Sequence, residues 1–321
     1  MTGRRALLAA IAAATAAPPL HAQTADSAVL MIPGPEGGGF AVIATRAAAG
    51  LARNMPHAVA LRIEALGGPD GVTAANRFAT TDGPDGRSLL LLPGAATHAR
   101  MVGDTRVRFD PSGWIPLVAL AQPVWLVGRG PRPNGSSRPV RVAISAPDQA
   151  DAVAIFVLDL LGVPAIPVPG GGQEAAEEAF RTDRADALMI CGPRPALRVA
   201  ALGAEPWVRF DAVAEAAPPA FADLTAGMPA SARDAGLAGA AALRSRGLVV
   251  LPALTPADQA AAWRRAAQRF AEEDAREAVE AGFRLLGPVE ATALFASLCA
   301  TPDAISIWRD WAARRFGARA G

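Results

Sequence analysis

The chain has 321 residues, about half of them hydrophobic, with 31 basic and 30 acidic side chains and a formal charge of +1. That length is enough for two domains with separate cores, and near-neutrality without a basic stripe excludes a nucleic-acid binder. Every basic position is arginine, so the sequence offers neither a phosphate-loop lysine nor a Schiff-base lysine.

The N-terminus reads as an export signal. Arg4 and Arg5 precede a short Ala/Leu run over residues 6–17, Pro18 and Pro19 break it, and Leu20-His21-Ala22 forms a cleavage site before Gln23. The paired arginines fit an ordinary secretory signal or a twin-arginine one, and both stay open. Residues 1–22 are thus expected to be removed and the remainder to work in the periplasm. No later apolar stretch approaches the length of a membrane span. Cys191 and Cys299 are expected as two buried free thiols in different lobes, although an oxidising compartment permits a disulfide. Cleavage leaves His57 and His98, little material for a metal site or a Ser–His–Asp triad. No metal or cofactor is expected.

The mature chain begins with an apolar strand over 28–32, then the loop Pro33-Gly34-Pro35-Glu36-Gly37-Gly38-Gly39, then a helix with apolar positions Phe40, Ile43, Ala44, Ala47 and Leu51. A glycine loop entering a helix aims unpaired N–H groups and the positive helix end at one point, which makes an anion site. A strand over 59–64 leads to a second glycine loop, 66–71, a short helix from Val72 and a nearly continuous apolar strand over 88–92. Residues 93–98 are expected as a loop at a strand's carboxyl end, with Thr97 in the cleft. His98 there reads as packing more readily than as a ligand contact. Two apolar runs fill 116–127, and a Gly/Pro/Arg/Ser-rich stretch from 128 to 139 marks a connection.

A second strand–loop–helix series follows. A strand over 140–144 meets Ser145-Ala146-Pro147-Asp148, which opens a helix at Gln149. A strand over 165–168 meets Pro169-Gly170-Gly171-Gly172, which opens a helix reaching Arg181. Gln173 and Glu174 read as capping residues, and Cys191, closing a strand over 185–190, as packing. The pattern is weak from 196 to 247. Beyond it lie a strand over 247–251, a long helix with Thr255 as expected N-cap and Trp263, Ala267 and Phe270 as its stripe, a strand at 283–286 and a helix over 288–299. A last helix, capped by Thr301, has a stripe of Ile305, Trp308, Ala312 and Phe316. Strands alternating with helices indicate α/β lobes whose sheets are mostly parallel.

In their order, several segments resemble the substrate-binding proteins of tripartite tricarboxylate transporters, the Bug family. They are Ile32-Pro33-Gly34-Pro35-Glu36-Gly37-Gly38-Gly39 with Arg46, Gly67-Gly68-Pro69-Asp70-Gly71, Pro84-Asp85-Gly86-Arg87-Ser88-Leu89-Leu90 and Phe109-Asp110-Pro111 with Trp114-Ile115-Pro116-Leu117. Val168-Pro169-Gly170-Gly171-Gly172 and Pro252-Ala253-Leu254-Thr255-Pro256 complete the set. The resemblance implies a two-lobed periplasmic binding protein type II fold. Lobe 1 is expected at 23–127 plus 241–321 and lobe 2 at 128–240. It implies a small organic carboxylate held by backbone N–H groups of Gly37, Gly38, Gly39 and Phe40 and of the loop Ser145, Asp148 and Gln149, with Gly170 and Gly171 nearby. Membrane permease subunits are the implied partners, and the protein is expected to be a monomer without catalytic activity.

Three departures bear on the ligand. The family's aspartate in the first helix falls on Ala41 or Val42, Glu36 stands where the family has a small residue, and the Tyr-Lys pair after Val168-Pro169 is absent. These point to a divergent ligand, with a neutral or cationic group beside the carboxylate left open. An exported sensor docking on a signalling receptor, and an enzyme on the same fold, are the alternatives.

Overall fold

A computed structural model describes residues 26–80, 85–134, 138–210 and 218–317; the export signal expected at residues 1–22 lies outside the described residues. In chain order come β1 (Asp26–Pro33), α1 (Gly39–Arg53), β2 (Val59–Leu66), α2 (Val72–Ala79), β3 (Ser88–Leu92), α3 (Gly94–Val102), β4 (Ile115–Ala121), β5 (Val124–Gly128) and β6 (Val140–Ile144). A 3-10 turn (Ala150–Ala152) then leads into α4 (Val153–Leu160), followed by β7 (Ala165–Pro169), α5 (Gly172–Arg181), β8 (Ala187–Cys191), α6 (Pro195–Leu202), β9 (Glu205–Arg209) and α7 (Phe221–Leu224). The chain closes with α8 (Ala230–Arg244), β10 (Ser245–Leu251), α9 (Ala257–Glu280), β11 (Arg284–Leu286), α10 (Pro288–Leu298) and α11 (Pro302–Phe316).

The strands form two sheets, β11-β4-β10-β3-β1-β2 and β7-β6-β8-β5-β9. The βα units pair in parallel, β1 with β2 and β3, and β6 with β7 and β8. In the first sheet Leu30 and Ile32 enter one core while Met31 enters the other, and Leu89 and Leu91 alternate likewise with Leu90 and Leu92. Burial on both faces explains why these strands read as unbroken apolar runs. The expected mostly parallel sheets carry antiparallel pairings as well: β10 with β3 and β4, β11 with β4, and β5 with β8 and β9. The strand that enters each sheet through a crossover, β5 or β10, runs opposite to the strands of the βα units.

Only Gln122 and Pro123 separate β4, in the first sheet, from β5, in the second. The return passage is the direct junction of α8 with β10 at Arg244 and Ser245. Gln122, 9 % exposed, binds the two passages together: its N–H donates to Arg244 O at 2.9 Å and its Nε2 to Leu243 O at 2.7 Å. The boundary expected at 127/128 therefore moves back to 122/123, because β5 hydrogen-bonds within the second sheet. The connection at 128–139 joins two strands of one sheet, and its residues 135–137 lie outside the described ones.

The C-terminal helix also departs from the expected division. The α11 stripe packs in the second lobe's core, where Trp308 and Trp311 meet Phe156 at centroid distances of 5.2 and 5.0 Å, and Trp311 Nε1 donates to Asp159 Oδ2 at 2.8 Å. From the same helix Arg309 donates to the carbonyls of Met101 and Arg100 in α3. The weak stretch 196–247 contains α6, β9, α7 and α8. Its central helix, α8, is built of small residues that are buried on several faces, so no amphipathic stripe marks it.

Two local expectations change as well. Residues 93–98 are not a loop: α3 starts directly after Pro93. Thr255 does not cap α9; its Oγ1 donates to Pro252 O at 2.9 Å and Pro256 holds the cap position. Thr301 does cap α11, accepting from Ala304 N at 3.2 Å. Both cysteines are free.

Gly94 allows α3 to lie against α8, since a Cβ there would stand 1.9 Å from Ala242 O. A backbone oxygen cannot step aside as a flexible side chain can. Gly94→Ala should therefore destabilise the protein by about 1–3 kcal/mol, read as a lower urea midpoint at unchanged slope.

Candidate functional site

A cavity of 430 Å³ lies between the two sheets beside the crossovers. The first lobe contributes Asp70 from the loop after β2, Ala95, His98, Ala99 and Val102 from α3, and Asp104 and Arg106 from the segment after it. The second contributes Ser145, Asp148, Gln149 and Asp151 from the segment after β6, Gln173 from α5, and Met189 and Cys191 from β8. Ala242 and Leu243, at the end of α8, form the hinge side. Loops at the carboxyl ends of parallel strands thus supply most of the polar lining, as expected for an α/β sheet.

Ser145, Asp148 and Gln149, singled out in the sequence, line this cavity. Gly37, Gly38, Gly39 and Phe40 lie outside its lining, at the entry to α1 on the same edge of the first sheet. Thr97 is buried, its Oγ1 donating to Gly94 O at 2.8 Å within the first turn of α3. Gly170 and Gly171 are exposed and do not line the cavity, and Gly170 N–H donates to Ile144 O at 3.1 Å.

In the segment after β6, Ser145 N–H and Gln149 N–H are both taken within the protein, the latter by Ala146 O at 3.1 Å. Asp151 Oδ2 accepts from Ser145 N–H at 2.6 Å and from Ser145 Oγ–H at 2.7 Å. Ser145 Oγ in turn accepts from Gly172 N–H at 3.1 Å, so it caps α5 rather than the helix that follows it in sequence. One internal carboxylate and one hydroxyl therefore satisfy the entries of both second-lobe helices. Burial raises the Asp151 carboxyl above the usual carboxylate range, and the Ser145 hydrogen bonds pull it the other way. Its Oδ1 is buried without a partner.

His98 joins the lobes. Its Nε2 lies 3.0 Å from Asp148 O, and a carbonyl only accepts, so Nε2 carries the proton and Nδ1 is a bare acceptor. The ring is 5 % exposed and meets Trp308 edge-on at 5.7 Å. Nδ1 is buried with no partner. Burial pushes the ring's pKa from 6.5 down to about 4, so it is neutral at physiological pH. At the cavity mouth Arg106 is held by Asp104 Oδ2 at 2.6 Å and Asp70 Oδ2 at 2.8 Å. Those hydrogen bonds raise the guanidinium's pKa and lower that of Asp104. Gln173 pins α5 to β8 through Met189 O and Cys191 N–H. Burial pushes the Cys191 thiol up to about 12, so it is no nucleophile at neutral pH. Among the described residues no cluster of three or more His, Cys, Asp or Glu side chains could hold a metal.

Sequence reading missed Asp104, Arg106 and Asp151, and it gave His98, Gln173 and Cys191 structural roles. Asp70 stood inside a noted glycine loop and was open to detection. Asp151 looked like any first-turn acid.

Two sheets joined by two crossovers, with a cavity between them, define the class: a periplasmic binding protein type II fold. No family model matches the chain, and no curated protein does. Solved structures match across its length. A TctC solute-binding protein from Polaromonas, without ligand, has TM-score 0.68 at 15 % identity, covering 90 % of this chain and 98 % of that one. The periplasmic binding protein BugD has TM-score 0.51 at 15 % identity over 89 % and 97 %. An R. palustris protein with adipate has TM-score 0.51 at 18 % identity over 91 % and 97 %. At such identities these likenesses carry the fold.

The neutral His98 gives a pH test. Unfolded, it takes a proton as pH falls through 6.5; folded, it resists until about 4. Its contribution to stability is full above 6.5, declines between 6.5 and 4, and amounts to about 3 kcal/mol at most. His98→Gln should flatten the fall in melting temperature over that window relative to the parent protein.

Proposed function

We propose that the chain is an exported substrate-binding protein of the tripartite tricarboxylate-transporter type. It captures a small organic carboxylate between its lobes in the periplasm, works as a monomer, and delivers the ligand to membrane permease subunits. The observation that carries this reading is the cavity beside the paired crossovers, lined by polar groups from both sheets. A ligand touching both lobes favours the closed arrangement by its differential contacts, with no covalent chemistry required. Likeness in fold to a TctC solute-binding protein, to BugD and to a protein holding adipate supports the same class.

The loop Gly37 to Phe40 is the proposed carboxylate contact of the first lobe, through the N–H groups of Gly39 and Phe40, since Gly38 N–H donates to Pro35 O at 3.1 Å. The first-turn N–H groups of a helix have no intrahelical acceptor, and they sit at the positive helix end. Charge-assisted hydrogen bonds from such N–H groups hold a carboxylate without a basic side chain. Closure brings this loop, outside the cavity lining, toward the ligand.

Ligand-stripped mature protein should gain about 2.7 kcal/mol of stability in a ligand present at a hundred times its Kd. A thermal-shift screen of organic acids and amino acids reads this, and a screen without a single stabilising compound would sink the proposal. At Gly39 a Cβ meets nothing within 4 Å. Gly39→Val should therefore fold normally yet weaken binding about tenfold or more by holding the carboxylate off the helix entry. Unchanged affinity would remove that loop from the site.

A further inference from the structure

We infer that the ligand carries a protonated, N–H-bearing nitrogen, which seats against the second lobe's aspartates; the cavity is built for an amino acid rather than for a dicarboxylate. The inference rests on the receptor reading above and names its ligand class.

The cavity lining holds four aspartates, Asp70, Asp104, Asp148 and Asp151, against one arginine, Arg106. That arginine is already committed to Asp70 and Asp104. The groups acting on the Asp151 carboxyl are its own burial, Ser145 and Asp148, with no arginine among them. Two arginines act on the Cys191 side: Arg198, tied to Glu177 and to Cys191 O, and Arg246, exposed and outside the lining. His98 is neutral. At the wall formed by Asp148 and Asp151 the lining therefore offers a ligand two carboxylates and no arginine.

Backbone donors in the second lobe are also taken. Two that could hold a ligand carboxylate, Ser145 N–H and Gly172 N–H, have internal acceptors. Asp151 takes the first and Ser145 Oγ the second. A ligand carboxylate there would have to displace an internal one or lie against it, and like charges at such range repel. What the two cavity walls leave unsatisfied points to the opposite ligand chemistry. Asp151 Oδ1 and His98 Nδ1 are both buried, both acceptors and both without partners, and both residues line the cavity. Two unmatched acceptors call for a donor, and an ammonium supplies donors and charge together. A zwitterion then fits in one orientation, nitrogen to the second lobe and carboxylate to the helix entry at Gly37 to Phe40.

The test is titration calorimetry and thermal shift on ligand-stripped mature protein with a four-carbon series of succinate, 4-aminobutanoate and 1,4-diaminobutane. Wider sets of nitrogen-free acids and of amino acids, betaines and amines accompany it. Amino acids should supply the tightest binder, at least about tenfold tighter than any nitrogen-free acid, and a betaine or an amine without a carboxylate binding more tightly would overturn the inference. Asp151→Asn keeps an acceptor for Ser145 and should weaken that binder about tenfold or more. Asp148→Asn, at the exposed rim, gives the same readout should the first variant not fold. A nitrogen-free acid binding as tightly as the best nitrogen-bearing compound would overturn the inference while leaving the receptor reading intact. Affinity unchanged in the folded variants would also overturn it. No binding in either set would overturn the receptor reading itself.

Discussion

The hydrogen bonds of Gln122 hold together the two places where the chain passes between sheets. One passage is two residues long and the other is a direct helix-to-strand junction. Joined in this way they form a single narrow hinge. The cavity opens beside it because the hinge sets the two sheet edges facing each other. The antiparallel pairings of β5 and β10 follow from the same constraint. So does the position of α8, which must reach from the second core to the first and lies against both α3 and α11. Its small residues let those neighbours approach closely, as Gly94 does from the α3 side.

The chemistry of the cavity depends on how its backbone donors are used. In the second lobe Ser145 N–H and Gly172 N–H are spent internally: Asp151 binds Ser145, and Ser145 caps α5. In the first lobe the glycine loop entering α1 gives Gly38 N–H to the Pro35 carbonyl. The two lobes thus use the same strand–loop–helix device with different internal acceptors. His98 spans the gap from α3 to the carbonyl of Asp148, and its neutrality is a consequence of burial beneath Trp308 and the α3–α8 contact. Protonating it would place a charge where the surrounding packing excludes water.

Much of the architecture was legible in the chain. The strands at 28–32, 88–92 and 140–144 are buried on both faces, so hydrophobicity alone marks them. The stripes of Trp263 and Trp308 mark helices because each helix has one dominant apolar face. The strand–loop–helix pattern marked Ser145, Asp148 and Gln149 at a strand's end, the resemblance implied their ligand role, and the structure sets them in the cavity lining. Helix α8 was invisible for the opposite reason, since a helix buried on several faces has no period to read. Helix α3 was hidden because Pro93 and Gly94 look like a loop until the close contact with α8 explains the glycine.

The sequence by itself determined two α/β series, their glycine and serine loops, the export signal expected at residues 1–22, and a pattern resembling solute-binding proteins. These depend on local periodicity and on residues adjacent along the chain. Only the tertiary structure decided where the chain crosses, that α11 packs on the second lobe, and that Asp151 folds back onto Ser145. Those outcomes depend on contacts between distant segments, as when Arg309 reaches Met101, or on the direction a side chain takes after a turn. A carboxylate six residues beyond Ser145 can face solvent, cap a helix or fold back onto the loop. The choice is made by the burial and hydrogen bonding that the assembled lobes impose.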